Sequence, residues 1–466
     1  MLNALWLALV LLAVVIGGAT GRLREVTESA FQMADTAVMK IALPLAGIMA
    51  LWLGVMRLAE RSGLVQILAR ALRPVMRRLF PDVPAEHPAM GSMLMNMAAN
   101  MLGLANAATP LGLRAMRDLE TLNRNPGTAT NAMCTFLAIN TSSIQLLPTT
   151  AIAILATQRS QDPTAIVGTS LLATICSTVA GITAVKWMEN WRVFRLPAAP
   201  ASPAAVAAGN AGPVGEGAEP AEVVAPEPAP LTTRGRLALW VLLAAFAGLA
   251  LWISLAPASY REVTAALHTR IFPENVKLPA WEDTSGQHLA LRAVGTLSLL
   301  AVPFLLLFFP FYAALRGVKV YEEFVEGAKE GFGVALRIIP FLVAILVAIG
   351  MFRGAGGIEA LKSILAPLLT PLGFPPDLLP MVLVRPLSGS ATTGLFVEIV
   401  QRLGPDDLVT RMAGTIFGST ETTFYVIAVY FGAVAVRRTR HAVAAGLIAD
   451  LAGVVASVVI CRLMFG

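Results

Sequence analysis

The chain has 466 residues, of which 56% are hydrophobic and 14% charged, with a formal net charge of +6 and a mean hydropathy of +0.71. Soluble chains carry about 25% charged residues, so this composition excludes an ordinary soluble enzyme and marks an all-α polytopic membrane protein. The basic residues are scattered between apolar runs with no aromatic-interleaved stripe, which excludes nucleic acid as a partner and leaves lipid head groups.

In chain order, the first apolar run, about 2–19, lacks the positive flank of a signal peptide and reads as a retained span. Further span candidates follow at about 38–58, 88–108, 130–157 and 165–188. Residues 198–233 are rich in Ala, Pro, Gly and Glu without aromatics, and read as a disordered linker. Beyond it come candidates at about 236–256, 290–315, 334–352, 377–400, 409–435 and 441–463. The total is 10–11 transmembrane or re-entrant segments, because 88–108 and 377–400 are only weakly apolar and fit either description. Segments 62–79 and 356–370 are amphipathic and suit the interface. The expected domains are a gate-like module at 1–197, the linker at 198–233, connecting spans and a loop at 234–318, and a second module at 319–466.

The two modules resemble each other. Pro44 and Pro340 follow similar helices, Gly63–Pro74 matches Gly356–Pro367, Thr141-Ser142 matches Ser419-Thr420, and Gly181 matches Gly453. A fused pair of homologous modules is a common transporter plan. If every candidate crosses once, six crossings separate residue 2 from residue 290 and the repeats are parallel. The arginine distribution does not settle the point. Arg192, Arg195, Arg234 and Arg236 flank the linker and place it in the cytoplasm.

Four polar patches interrupt apolar segments at equivalent places in the repeats. The first module holds Asn96, Asn100, Asn106 and Thr109, then Asn140, Thr141, Ser142, Ser143 and Gln145 near Pro148. The second holds Arg385, Ser388, Ser390 and Thr392, then Ser419, Thr420, Glu421, Thr422 and Thr423. Polar turns at membrane depth free backbone groups, which are tolerated where they line protein or a wet cavity. In discontinuous transporter helices such ends point at the substrate. The competing reading is helix packing, where one interhelical hydrogen bond contributes about 0.6–2 kcal/mol. Paired asparagines, a glutamine, an arginine and a glutamate exceed what packing requires.

A charge at a helix centre costs roughly 2.5–3.5 kcal/mol on insertion scales, so Arg385 and Glu421 are expected to face each other or to flank one solute. On this reading Arg385 meets an anionic group, and Glu421 meets a cation, a proton or Arg385. Asp450, in register with Thr178, is a further ion-coupling candidate. No G-x-S-x-G, S-x-x-K or P-loop pattern stands at the patches. The dispersed Cys134, Cys176, Cys461 and four histidines lack metal-ligand spacing. No cofactor, metal or catalytic residue is expected.

The stretches RLAERSGLVQILARALRPVMRRLFPDVPAEHPAMG, NMAANMLGLANAATPLGLRAM and FLAINTSSIQLLPTT resemble spore maturation protein A. VYEEFVEGAKEGF, LVRPLSGSATTGL, GSTETTFYVIAVYFGAV and GLIADLAGVVASVVICRLMFG resemble spore maturation protein B. The resemblance covers nearly all of both halves outside the linker and 236–290, and the two are fused here through that linker and an added span. It implies two copies of the gate, or nucleoside recognition, domain shared with concentrative nucleoside transporters and ferrous iron transporter B. It also implies a bacterial inner-membrane location and a role in spore core dehydration. Residues and resemblance together point to a transporter- or channel-like protein with a polar small-solute site between the repeats. The alternative is a non-transporting scaffold for envelope or cortex maturation, and homo-oligomer formation is left open.

Overall fold

Without water to satisfy N–H and C=O groups, apolar runs fold as helices. The computed structural model describes residues 2–195, 229–272, 276, 286–357, 360, 363, 367 and 373–466, without the side chains of 2–5, 105–107, 334–335 and 337–338. Among these residues the chain is helical and carries no strand, with one isolated bridge between Thr128 and Arg438. Residues 198–228 of the proposed linker and most of the amphipathic segment 356–370 lie outside the described residues, and Thr233 already opens the next helix.

Helix α1 (Leu2–Thr20) turns at Gly21, φ +74°, into α2 (Leu23–Asp35). Helix α2 continues through a π-helical stretch, Thr36–Ala42, into α3 (Leu43–Arg61). Pro44 explains the π segment: it cannot donate to the carbonyl four residues back, and its ring crowds that carbonyl, so the coil widens. After Gly63 comes the amphipathic α4 (Leu64–Leu79). Helices α5 (Pro88–Met101) and α6 (Ala105–Glu120) fold back on each other as a hairpin. Helices α7 (Asn131–Thr141) and α8 (Thr149–Thr157) are one crossing broken at 142–148, followed by α9 (Ile166–Met188).

Past the linker, α10 (Thr233–Leu255), α11 (Pro257–Ile271) and α12 (Leu289–Leu315) lead to Gly317, also at φ +74°. The first plan then repeats. A long helix, α13 (Val320–Gly354), precedes a hairpin of α14 (Leu379–Val384) and α15 (Gly389–Leu403). A broken crossing of α16 (Leu408–Ser419) and α17 (Thr423–Gly432) is followed by α18 (Ala442–Phe465). Among the described residues, five helices are long and apolar enough to cross a membrane: Leu23–Arg61, Ile166–Met188, Thr233–Leu255, Leu289–Leu315 and Ala442–Phe465.

The repeats are inverted, which corrects the parallel expectation. Helix α13 runs antiparallel to α2–α3: Gly354 packs on Glu25, Gly350 on Met33, Gly331 on Met49 and Gly327 on Leu53. Helices α9 and α18 also oppose each other, with Ser177 Oγ donating to the Ala449 carbonyl at 2.9 Å. At the end where the linker attaches, the Arg437 amide donates to the Gly127 carbonyl and Arg440 to Asn131. At the far end Ser160 donates to Asp406. The parallel expectation took 88–108 as a crossing, whereas α5 and α6 enter and leave by the linker end.

Two charged helix extensions also lengthen the expected spans 38–58 and 334–352. The added turn of α13 is held to α3 by Arg57–Glu323 at 2.8 Å and Arg61–Glu323 at 3.2 Å. Apolar cores fill both ends of the molecule. One gathers around Phe80, Met93, Met116 and Phe136, the other around Ile41, Ile166, Phe396 and Ile416. The polar patches lie between them.

Candidate functional site

Both hairpin tips abut the break of their own repeat through equivalent backbone bonds. The Leu146 amide donates to the Met101 carbonyl at 3.0 Å, and the Phe424 amide to the Pro386 carbonyl at 2.9 Å. The two breaks then meet, because Ser143 Oγ donates to the Gly418 carbonyl at 3.2 Å. Gly418 leaves the room for this: a Cβ there would stand 2.6 Å from Pro148 Cβ. Ser143 sits at φ +50°, in the left-handed region that non-glycine residues seldom adopt and that recurs at functional sites.

These four pieces surround one cavity of about 480 Å³. Asn100 and Thr109 of the first hairpin and Asn140, Ser143 and Gln145 of the first break line it. Ser388 and Ser390 of the second hairpin and Glu421 and Thr422 of the second break complete the polar wall. Ser143 and Glu421 occupy the same register in the two repeats, so the wall is neutral on one side and acidic on the other. The Asn100 amide donates to the Asn140 side-chain oxygen at 2.8 Å, and the Asn140 amide to the Phe136 carbonyl at 2.9 Å. This chain of amides joins hairpin to broken helix.

The remaining residues expected at the site stand behind the wall. Asn96 donates to the Ala108 carbonyl at 2.7 Å and to the Tyr430 hydroxyl at 3.4 Å. Thr141 and Ser142 return their hydroxyls to carbonyls of α7, and Ser142 also meets Thr178 at 2.9 Å. Thr392 donates to the Ser388 carbonyl, Ser419 meets Ser457, and Thr420 donates to the Ile416 carbonyl. Thr423 donates to one Asp450 oxygen at 2.6 Å, and the other Asp450 oxygen has no partner among the described residues. Asn106 stands in the first turn of α6, and its side chain lies outside the described residues.

Arg385 does not pair with Glu421. Its guanidinium donates to Thr420 Oγ1 at 3.1 Å, to the Phe417 carbonyl at 2.8 Å and to the Thr420 carbonyl. It lies 4.6 Å from the Phe417 ring centroid. The side chain therefore caps the carbonyl end of α16, where the helix dipole favours a cation, and contributes nothing to the cavity wall. The Glu421 carboxylate accepts only the Thr422 amide, at 3.4 Å, among the described residues.

Sequence reasoning missed Leu387, Tyr425, Val426 and Tyr430, which also line the cavity. The available signal was spacing: Thr422, Val426 and Tyr430 are four apart and share one face of α17.

The family profile described as "Gate: Nucleoside recognition" matches residues 42–158 and 335–437, the segments that hold a hairpin and a broken crossing in each repeat. Spore maturation protein A of Bacillus subtilis (strain 168) is 46% identical over 182 residues, covering 39% of this chain and 92% of that protein. Spore maturation protein B of the same organism is 42% identical over 176 residues, covering 38% of this chain and 99% of that protein. No solved structure matches the chain.

Proposed function

We propose that this chain, which belongs to the family of spore maturation proteins A and B and carries their gate domain, is a transporter- or channel-like protein for a small polar solute. One observation carries the reading. Hairpin tips and helix breaks from two inverted repeats face a single cavity large enough for an organic molecule. The activity is translocation and not catalysis, in a bacterial inner membrane, with lipid around the outer helices. Spore maturation is the process the relatives' names attach to it. A homo-oligomer is compatible with the apolar outer faces of α9 and α18.

The test is uptake into proteoliposomes of nucleosides, amino acids, dicarboxylates and divalent metals by the full chain. Uptake of at least one solute is expected, and Ser390→Trp, which fills the cavity, should abolish it. No uptake across the panel, together with full cellular function of the Trp variant, would refute transport and favour a scaffold.

A further inference from the structure

The charge inventory of the cavity narrows its occupant, on the reading that the cavity binds a solute. Glu421 is the charged side chain of the wall, and no lysine, arginine or histidine lines it among the described residues. The guanidinium of Arg385 is engaged with Thr420 and Phe417. Behind the wall, Asp450 is 6% exposed and keeps one oxygen unpartnered among the described residues. Arg385, Glu421 and Asp450 act on one another electrostatically. The Glu421 carboxylate has no cationic partner among the described residues, so the wall carries one unpaired acidic group. Glu421 is partly buried, and a partly buried carboxylate is stabilised by a counter-charge.

Size decides what kind of cation fits. Water occupies about 30 Å³, so the cavity holds the volume of roughly sixteen waters, far more than a desolvated metal ion fills. No group of three or more His, Cys, Asp or Glu side chains that could hold a metal occurs among the described residues. The wall also presents Tyr425 and Tyr430, with Leu387 and Val426 between polar groups. A carboxylate beside aromatic rings is the combination that recognises ammonium groups. We infer that the cavity takes a small organic cation, an amine or quaternary ammonium on a hydroxyl- or amide-bearing skeleton, with its nitrogen at Glu421. Anionic solutes are disfavoured, because Arg385, the cation next to the wall among the described residues, is turned into α16.

The experiment is isothermal titration of the full chain in detergent at low ionic strength with putrescine, choline, uridine and succinate. At least one of the two cations should bind and succinate should not. Glu421→Gln should weaken cation binding tenfold or more while leaving any uridine binding within about twofold. Glu421→Asp, which keeps the charge, should retain most of the affinity, and an unchanged gel-filtration profile checks folding. Binding of uridine with neither cation would overturn the inference and leave the solute cavity standing. Succinate binding that strengthens in Glu421→Gln would overturn the charge argument. If none of the four binds, whichever solute the liposome panel carries decides: an organic cation such as a basic amino acid supports the inference, and a divalent metal or any other solute refutes it. If the panel carries nothing, both readings fall.

Discussion

Arg385→Ala should destabilise the protein without removing a ligand contact. The side chain is 5% exposed, and its guanidinium serves the carbonyls of Phe417 and Thr420 and the Thr420 hydroxyl. Truncation leaves buried acceptors without donors, at about 1–3 kcal/mol each. It also removes a cation–π contact that contributes about 0.5–2 kcal/mol. Not having to bury the guanidinium offsets part of that loss, and about 2–4 kcal/mol remains. Arg385→Lys keeps the charge but replaces a planar fork with a single ammonium, so roughly half that loss is expected. The assay is chemical denaturation in mixed micelles, followed by the fraction that elutes monodisperse. A change below about 0.5 kcal/mol in the Ala variant would refute the capping role. So would unchanged stability combined with lost solute affinity, because the guanidinium would then be reaching the ligand.

Gly418→Ala should cost about 1–3 kcal/mol by overpacking, since the new methyl meets Pro148 Cβ at 2.6 Å and Ser170 Oγ at 2.8 Å; a stability equal to the parent would show that the breaks are not in contact. Inverted repeats require Asn125→Cys and Arg438→Cys to label from one side of a sealed vesicle and Arg159→Cys and Asp407→Cys from the other; labelling of all four from one side sinks that topology. His441, one residue before α18, has both ring nitrogens unpartnered among the described residues. Burial, with Arg440 and Lys186 nearby, pushes its pKa down to about 4. The folded state then holds it neutral while the unfolded chain protonates below about 6.5. Stability is full above that pH and falls by up to about 3 kcal/mol as pH drops toward 4. His441→Gln should flatten the slope, and an unchanged slope rules the residue out.

Much of the architecture was legible because bilayer physics is restrictive. Pro148 and the run Asn140–Ser143 cannot continue a lipid-facing helix, and they mark the first break; Ser419–Thr422 mark the second. Matched turns such as Gly63 and Gly356, both left-handed at φ +82° and +83°, exposed the duplication. Orientation was not legible, because a weakly apolar stretch has the same composition whether it crosses or doubles back. Only packing separates α5–α6 as a hairpin from a span. The charged turns of α13 fell outside the expected span 334–352, because their partners Arg57 and Arg61 lie more than 260 residues away in the chain. The role of Arg385 was hidden for a related reason. An arginine beside a polar loop looks like an anion receptor until the carbonyl end of another helix is found in front of it.

The helix α10 leans on α12, through Ser254–Thr296 and Phe246–Phe304, and adds nothing to the cavity wall. Its importance is one of parity. The crossings α1, α2–α3, α7–α8 and α9 form an even set, as do α12, α13, α16–α17 and α18, and hairpins do not count. Two even units joined directly would insert the same way up, and Ser143 and Glu421 could not share a wall. One extra passage turns the second unit over. Excising α10 from the gene would therefore leave every residue of the site intact and still abolish the site.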